Sequence, residues 1–440
     1  MQPNSEKRIS VWHPPYVFSL GFVFSNALTW MVALGTPLLL LCQQLGATPL
    51  EIGLVSAFPM LMLPLQVIAT AFLRHIGYKH QAMLGWSVRA VFLLVPLGIA
   101  IVAPAEPAPW MLPALITAML GFAIFRAVGM SATFPWIYAI LPDGLRGRYF
   151  ATEQVVTGIS GLFIMLLSAW IIKALPVYSA FTALYTLTML GSISAVTCLH
   201  KLPDAPAPKD LHTAHILRNI WPLIRSRGPF RSYLLLMAAI ALFNTSVRPF
   251  TAYYLRGQTV VSDSHIFLLV SVQVLGGIVM AFTARRFADR IGVRSLLLGA
   301  QVIMAGVCLF WLILVLGAAG LIPLLPLAYF ALGSAESLLI LGNLKYTPQL
   351  SNDNDRAFVC AVLGSLAGIC GGVAPILWGW FLKDAQGQSI NVARFAIFFA
   401  CNLILQLALI PRFARIQEKD PLPRLPFRWI GSAFGFNDKE

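Results

Sequence analysis

Apolar residues along the chain gather into runs of about 20 to 26, the length a helix needs to cross roughly 30 Å of hydrocarbon. Twelve such runs predict twelve transmembrane helices, over 16–41, 51–72, 80–103, 109–141, 150–173, 178–200, 232–255, 264–285, 294–317, 321–343, 357–382 and 391–411. Gly and Pro are frequent inside the runs, which a membrane bundle tolerates because neighbouring helices re-satisfy the freed backbone groups. The first run is too long for a signal-peptide core and is expected to remain as the first span. The longest polar stretch divides the runs six and six. The organisation that follows is an N-terminal six-helix bundle over 1–200, a linker over 201–231, a C-terminal six-helix bundle over 232–411 and a tail over 412–440. Within the linker Ile216, Leu217, Ile220, Trp221 and Ile224 recur at helical spacing beside Arg218 and Arg225, as in a helix lying on a membrane surface.

Composition agrees with this all-α membrane reading. Of the 440 residues 58% are hydrophobic and 11% charged, with a mean hydropathy of +0.78, against roughly 25% charged residues in soluble chains. The formal charge of +14 raises the possibility of nucleic acid, but the positions of the 31 Lys and Arg argue against it. One side of the predicted membrane holds Lys173, Arg256, Lys383 and Arg394; Arg89, Arg126 and Arg248 lie at membrane depth; all the others fall on the side of the termini. This asymmetry places both termini in the cytoplasm, with anionic lipid headgroups as the natural partners of the basic loops. A bacterial inner membrane is the expected location, with no nucleic-acid partner and a monomer as the working unit. The six cysteines lie in or at the ends of apolar runs without ligand spacing, so no metal or other cofactor is expected.

The two halves repeat each other. Thr157-Gly158-Ile159-Ser160-Gly161 in the fifth run matches Ala367-Gly368-Ile369-Cys370-Gly371 in the eleventh, and Ile76-Gly77-Tyr78-Lys79 after the second matches Ile291-Gly292-Val293-Arg294 after the eighth. Repeated halves are what a secondary transporter rocks around a central site, and the small residues of the fifth and eleventh runs predict close helix contacts.

Phe287-Ala288-Asp289-Arg290-Ile291-Gly292-Val293-Arg294 resembles the D-R-x-G-x-R loop signature of the major facilitator superfamily, at its second position between spans eight and nine. The first copy, around Gly77, carries Arg74 where that family has Asp. Leu145-Arg146-Gly147-Arg148-Tyr149-Phe150-Ala151 looks like the family's loop between spans four and five. The resemblance implies two pseudo-symmetric six-helix bundles and a cytoplasmic gate. In it Asp289 would face the start of the fifth span with Arg146 or Arg148 as partner, and Arg74 would meet Asp353 or Asp355. Gly77, Arg290, Gly292 and Arg294 complete this gate set. The glycines permit tight turns, and the basic side chains reach lipid phosphates or helix carbonyl ends.

Ionisable groups at membrane depth are costly and mark function by default. Glu336 is the one carboxylate well inside a run, since Glu51 and Glu153 sit at helix starts. Arg126 in the fourth span, Arg248 in the seventh, Glu336 in the tenth and Asn26 in the first fall on the four spans that line the central cavity of the resembled fold. Arg126 and Glu336 share the repeat offset, which suggests that they face one another as opposite charges. Asn244 and Arg248 in Phe243-Asn244-Thr245-Ser246-Val247-Arg248-Pro249 are expected to interrupt the seventh span beside the cavity. Arg89, on a span that lies toward lipid in that fold, reads chiefly as a snorkelling side chain, while Gln273 and Asn343 read as polar packing.

A secondary active transporter of a small solute explains the repeats, the charges and the short loops together. The resemblance adds protons as coupling ion, with Glu336 as carrier, and the cavity arginines favour an anionic or hydroxyl-rich solute. There is no G-x-x-x-x-G-K-[ST] for ATP and no H-E-x-x-H or clustered nucleophile for an intramembrane enzyme. A membrane sensor built on a transporter scaffold is the other alternative.

Overall fold

The computed structural model describes residues 12–70, 72–102, 107–206, 225, 228–257, 261–287, 292–350, 356–383 and 391–416. Among these are 12 helices long and apolar enough to cross a membrane. The first six spans are Tyr16–Gln44, Pro49–Thr70, Tyr78–Val102, Met111–Ile140, Thr152–Ala174 and Val177–His200. The second six are Pro229–Gly257, Asp263–Thr283, Val293–Val315, Ala319–Asn343, Val362–Leu382 and Val392–Phe413. The chain is a multi-pass, all-α membrane protein, and its even number of spans returns both ends to one face.

Three of the spans predicted as single helices are broken, each for the same reason. The first divides after Ala33, the second after Leu61 and the third after Val91. Pro37, Pro64 and Pro96 stand just beyond. A proline ring clashes with the carbonyl four residues earlier and offers it no N–H, and those carbonyls belong to Ala33, Met60 and Phe92. The seventh span behaves differently from expectation. It runs unbroken from Pro229 to Gly257 with Pro249 inside it, so the predicted interruption at Asn244–Arg248 is absent. It is tied to its neighbour there, the Thr245 hydroxyl donating to the Gly371 carbonyl of span eleven at 2.8 Å.

Pairing of the spans repeats between halves. Span three packs on four as nine packs on ten, span three on six as nine on twelve, span one on five as seven on eleven, and span four on two as ten on eight. Two further pairings, two with eleven and five with eight, join the halves and exchange under the same symmetry. Small residues make these joints close, as the repeated Gly motifs predict. A Cβ on Gly158 would lie 3.1 Å from Ile278, and one on Gly368 would lie 2.9 Å from the Met60 carbonyl. Nearer the loop-poor face the joint tightens to backbone against backbone, where a Cβ on Gly53 would sit 2.0 Å from the Pro375 oxygen and one on Gly379 2.4 Å from that of Pro49.

Candidate functional site

The three arginines and the glutamate at membrane depth form two separate constellations, one in each half. In the C-terminal half, Arg248 Nη2 lies 2.8 Å from Glu336 Oε2. The same carboxylate oxygen accepts from the Gln273 amide of span eight at 3.0 Å. Glu336 therefore pairs with Arg248, not with Arg126 as the repeat offset suggests. Both partners are in the same bundle, so the pair does not bridge the halves. The two side chains remain 41% and 35% exposed. Ionisable side chains at this depth generally face the bundle interior or a water-filled space rather than lipid. Arg248 Nε is buried with no partner. One helical turn earlier, Asn244 accepts from Gln406 of span twelve at 2.5 Å, which ties it to a neighbouring helix.

The N-terminal half holds the other constellation. Arg89 is fully buried, so it does not snorkel. Its guanidinium carbon stands 4.2 Å from the Trp86 ring centroid and 4.9 Å from that of Phe122. Its Nη1 donates to the Asn26 side-chain oxygen at 2.9 Å. Trp86 is itself anchored, its indole N–H donating to Thr133 at 2.7 Å. Nε and Nη2 of Arg89 are buried without any partner. Each unmet buried donor costs about 1–3 kcal/mol, more on a charged group. Helix geometry relates Arg126 to Arg89. Spans three and four are antiparallel and cross at Gly85 and Gly129, where a Cβ on Gly85 would fall 2.3 Å from the Gly129 nitrogen. Arg89 is one turn beyond that crossing on one helix and Arg126 one turn before it on the other, so the two arrive at the same level. Arg126 makes no ion pair among the described residues, where the ion pairs are Arg248–Glu336 and Arg256–Asp263.

The second of these ion pairs seals one face. Arg256 ends the seventh span, and its guanidinium donates to the Leu40 carbonyl and to the Gln44 side chain at 2.7 Å, both on the first span of the opposite half. Asp263 steadies it at 3.2 Å. Nearby, Gln43 donates to the Tyr253 carbonyl at 3.4 Å. In the sequence Arg256 is one of four basic residues on the charge-poor side, and that scarcity is the signal that could have singled it out.

The other expected residues sort simply. Glu51 is structural, since its carboxylate accepts from the Thr48 backbone N–H at 2.7 Å and caps the second span. Asn343 accepts from the Tyr233 hydroxyl. Glu153 leaves Oε2 buried without a partner. Of the gate set, Gly77 joins the second and third spans at φ 82°, a left-handed conformation that favours glycine. Gly292 precedes the ninth span and Arg294 lies in its first turn. Asp289, Arg290, Asp353 and Asp355 lie outside the described residues, as do the linker helix and the tail after Ile416, and so do the side chains of Arg74, Arg146 and Arg148.

The sequence profile of the Major Facilitator Superfamily matches residues 18–260 and, a second time, 234–435. The chain belongs to this superfamily. The double match mirrors the pairing of spans by halves. Among solved structures, the nucleoside transporter NupG is similar to this superfamily member with a TM-score of 0.64 and 16% identity, covering 91% of this chain and 98% of that one. The peptide transporter POT in complex with sulfate gives 0.66 and 15%, with coverage of 93% and 97%. A D-xylose–proton symporter gives 0.66 and 13%, covering 90% and 96%. At such identities the likeness establishes a common fold. No curated protein sequence matches the chain.

Proposed function

We propose that the protein is a secondary active carrier which moves a small anionic or hydroxyl-rich solute by alternating access and is driven by protons. The observation that carries this reading is the part-exposed Arg248–Glu336 pair at mid-span, within a fold made of two halves joined at paired seams. Superfamily membership and the transporter names of the structural neighbours support it, one of those neighbours being a proton symporter by name. The excess of basic residues on the side of the termini orients them to the cytoplasm, and the face sealed by Arg256 is then the outer one. A reporter fused at Asp210 should read as cytoplasmic; an external readout would reverse every gate assignment.

The pair supplies a coupling step. When an incoming solute draws Arg248 away, the carboxylate left at depth is neutralised by a proton, because an unpaired ion there is far more costly than a neutral acid. Return of Arg248 releases the proton on the other side. On the cytoplasmic face Asp289, with Arg146 or Arg148, holds the halves together during the complementary step; Asp289→Asn should raise labelling of the cavity from the cytoplasm.

The test is flux in proteoliposomes. Saturable uptake with counterflow separates a carrier from a sensor or an enzyme. Glu336→Gln should keep counterflow, which needs no net proton movement, and lose accumulation driven by a pH gradient. Accumulation equal to the parent's would make the pair structural.

A further inference from the structure

We infer that Arg89, Arg126 and Asn26 form a binding site for a compact oxyanion of charge −2, a dicarboxylate or a phosphate monoester, and that this anion is the transported solute. The inference rests on the carrier reading above and narrows its substrate.

Four observations converge on one spot. Two guanidinium-bearing residues stand at the same level of adjacent helices, one turn from the Gly85–Gly129 crossing, without a carboxylate partner among the described residues. Arginine keeps its proton in proteins, so the spot holds two positive charges. Such an arrangement is strongly unfavourable in a low-dielectric interior unless an anion joins it. Next, Arg89 is buried with Nε and Nη2 unsatisfied while Nη1 is engaged by Asn26. That leaves one edge of the planar fork free, and two adjacent N–H groups match two oxygens of a carboxylate or phosphate. Third, Trp86 and Phe122 flank the guanidinium and Thr133 fixes Trp86, so the fork is held in place before any ligand arrives. Fourth, Arg126 is part-buried where Arg89 is wholly so, so an anion would approach from the Arg126 side. Depth decides between a solute and a lipid. Arg89 is eleven residues into a span that starts at Tyr78, about 16 Å from its end at 1.5 Å per residue, near the middle of the hydrocarbon, where headgroup phosphates do not reside. A purely structural Arg89 would have its donors met by backbone carbonyls or a carboxylate.

The probes are succinate, glycerol 3-phosphate and inorganic phosphate, with xylose and uridine as neutral controls, at matched ionic strength. Purified full-length protein in detergent should show a saturable rise in unfolding temperature with at least one of the dianions and none with the neutral solutes. Arg126→Gln should weaken that binding at least tenfold, and Arg89→Gln more. Arg89→Lys should recover part of it, because charge returns without the fork. Arg126→Gln keeps the test valid if the buried Arg89 variants fail to fold. In proteoliposomes the bound dianion should exchange across the membrane. No saturable response to any dianion, or the same affinity in Arg126→Gln, overturns the inference. Saturable counterflow of xylose or uridine that is unaltered in both arginine variants overturns it too, while leaving the carrier reading intact. Dianion binding without any exchange supports the site and instead defeats the carrier reading.

Discussion

Removing Arg256 should unlock the face that it clamps. In the closed arrangement its guanidinium makes two bonds across the halves, to the Leu40 carbonyl and to Gln44, while Asp263 holds it from its own side. A hydrogen bond involving a charged group contributes about 1.5–3 kcal/mol. Water can reach the vacated groups once the halves part, so the two bonds together favour the closed form by roughly 2 to 4 kcal/mol. At about 1.4 kcal/mol per factor of ten, Arg256→Ala should raise the ratio of molecules open at that face to closed ones by roughly 30- to 700-fold. Hydrogen–deuterium exchange reads this directly, because amides of Thr36–Gln44 exchange through opening and their rate follows the open population. Exchange in that segment should accelerate by a comparable factor, and amides of the third and fourth spans should not change. Asp263→Asn should give the same change at smaller size, since Asp263 only steadies the clamp. If exchange near Gln44 stays at the parent rate in Arg256→Ala, the clamp contributes nothing and the glycine seam alone closes that face.

Two glycine substitutions test the close joints. Gly53→Ala puts a Cβ 2.0 Å from the Pro375 carbonyl oxygen; the seam between spans two and eleven should then part, seen as faster exchange on both strips and more inhibition by outside cysteine reagents placed in the cavity, with folding preserved. Gly85→Val pushes against Gly129 at 2.3 Å, and should lower stability by about 1–3 kcal/mol in thermal unfolding and reduce transport, because it drives Arg89 away from Arg126. Unchanged unfolding would show that spans three and four can separate at no cost.

The membrane made the fold legible and left the pairings obscure. A bilayer core demands long apolar helices, so hydropathy alone located the spans, and the three proline breaks follow from a local rule that the sequence also carries. Arg126, Arg248, Glu336 and Asn26 stood out because charge and amide groups at depth are rare. Which of them meet depends on how each helix is rotated, and repeat symmetry does not fix that. Equivalent positions in two halves share a level without sharing a partner, so Arg126 and Glu336 matched by offset while Glu336 bonded within its own bundle. Arg89 was obscured by the usual lipid-facing position of its span. What spoke against that reading was the spacing Gly85-x-x-x-Arg89 opposite Arg126-x-x-Gly129, which only becomes informative once spans three and four are known to cross at the glycines.

Two uncompensated guanidiniums bring the membrane voltage into the cycle. During alternation the potential drops across whichever side is shut, so reorienting the empty protein carries the charges of Arg89 and Arg126 through the field although neither leaves its helix. Moving one elementary charge through 100 mV costs about 2.3 kcal/mol, so at that potential, negative inside, two charges disfavour the empty outward-facing form by up to about 5 kcal/mol. On the dianion-carrier reading, a bound dianion cancels those two charges and leaves only the Arg248 charge uncovered when Glu336 is protonated to cross the field. The loaded form then reorients against a smaller voltage penalty than the empty one, and an energised membrane holds the empty form facing the cytoplasm.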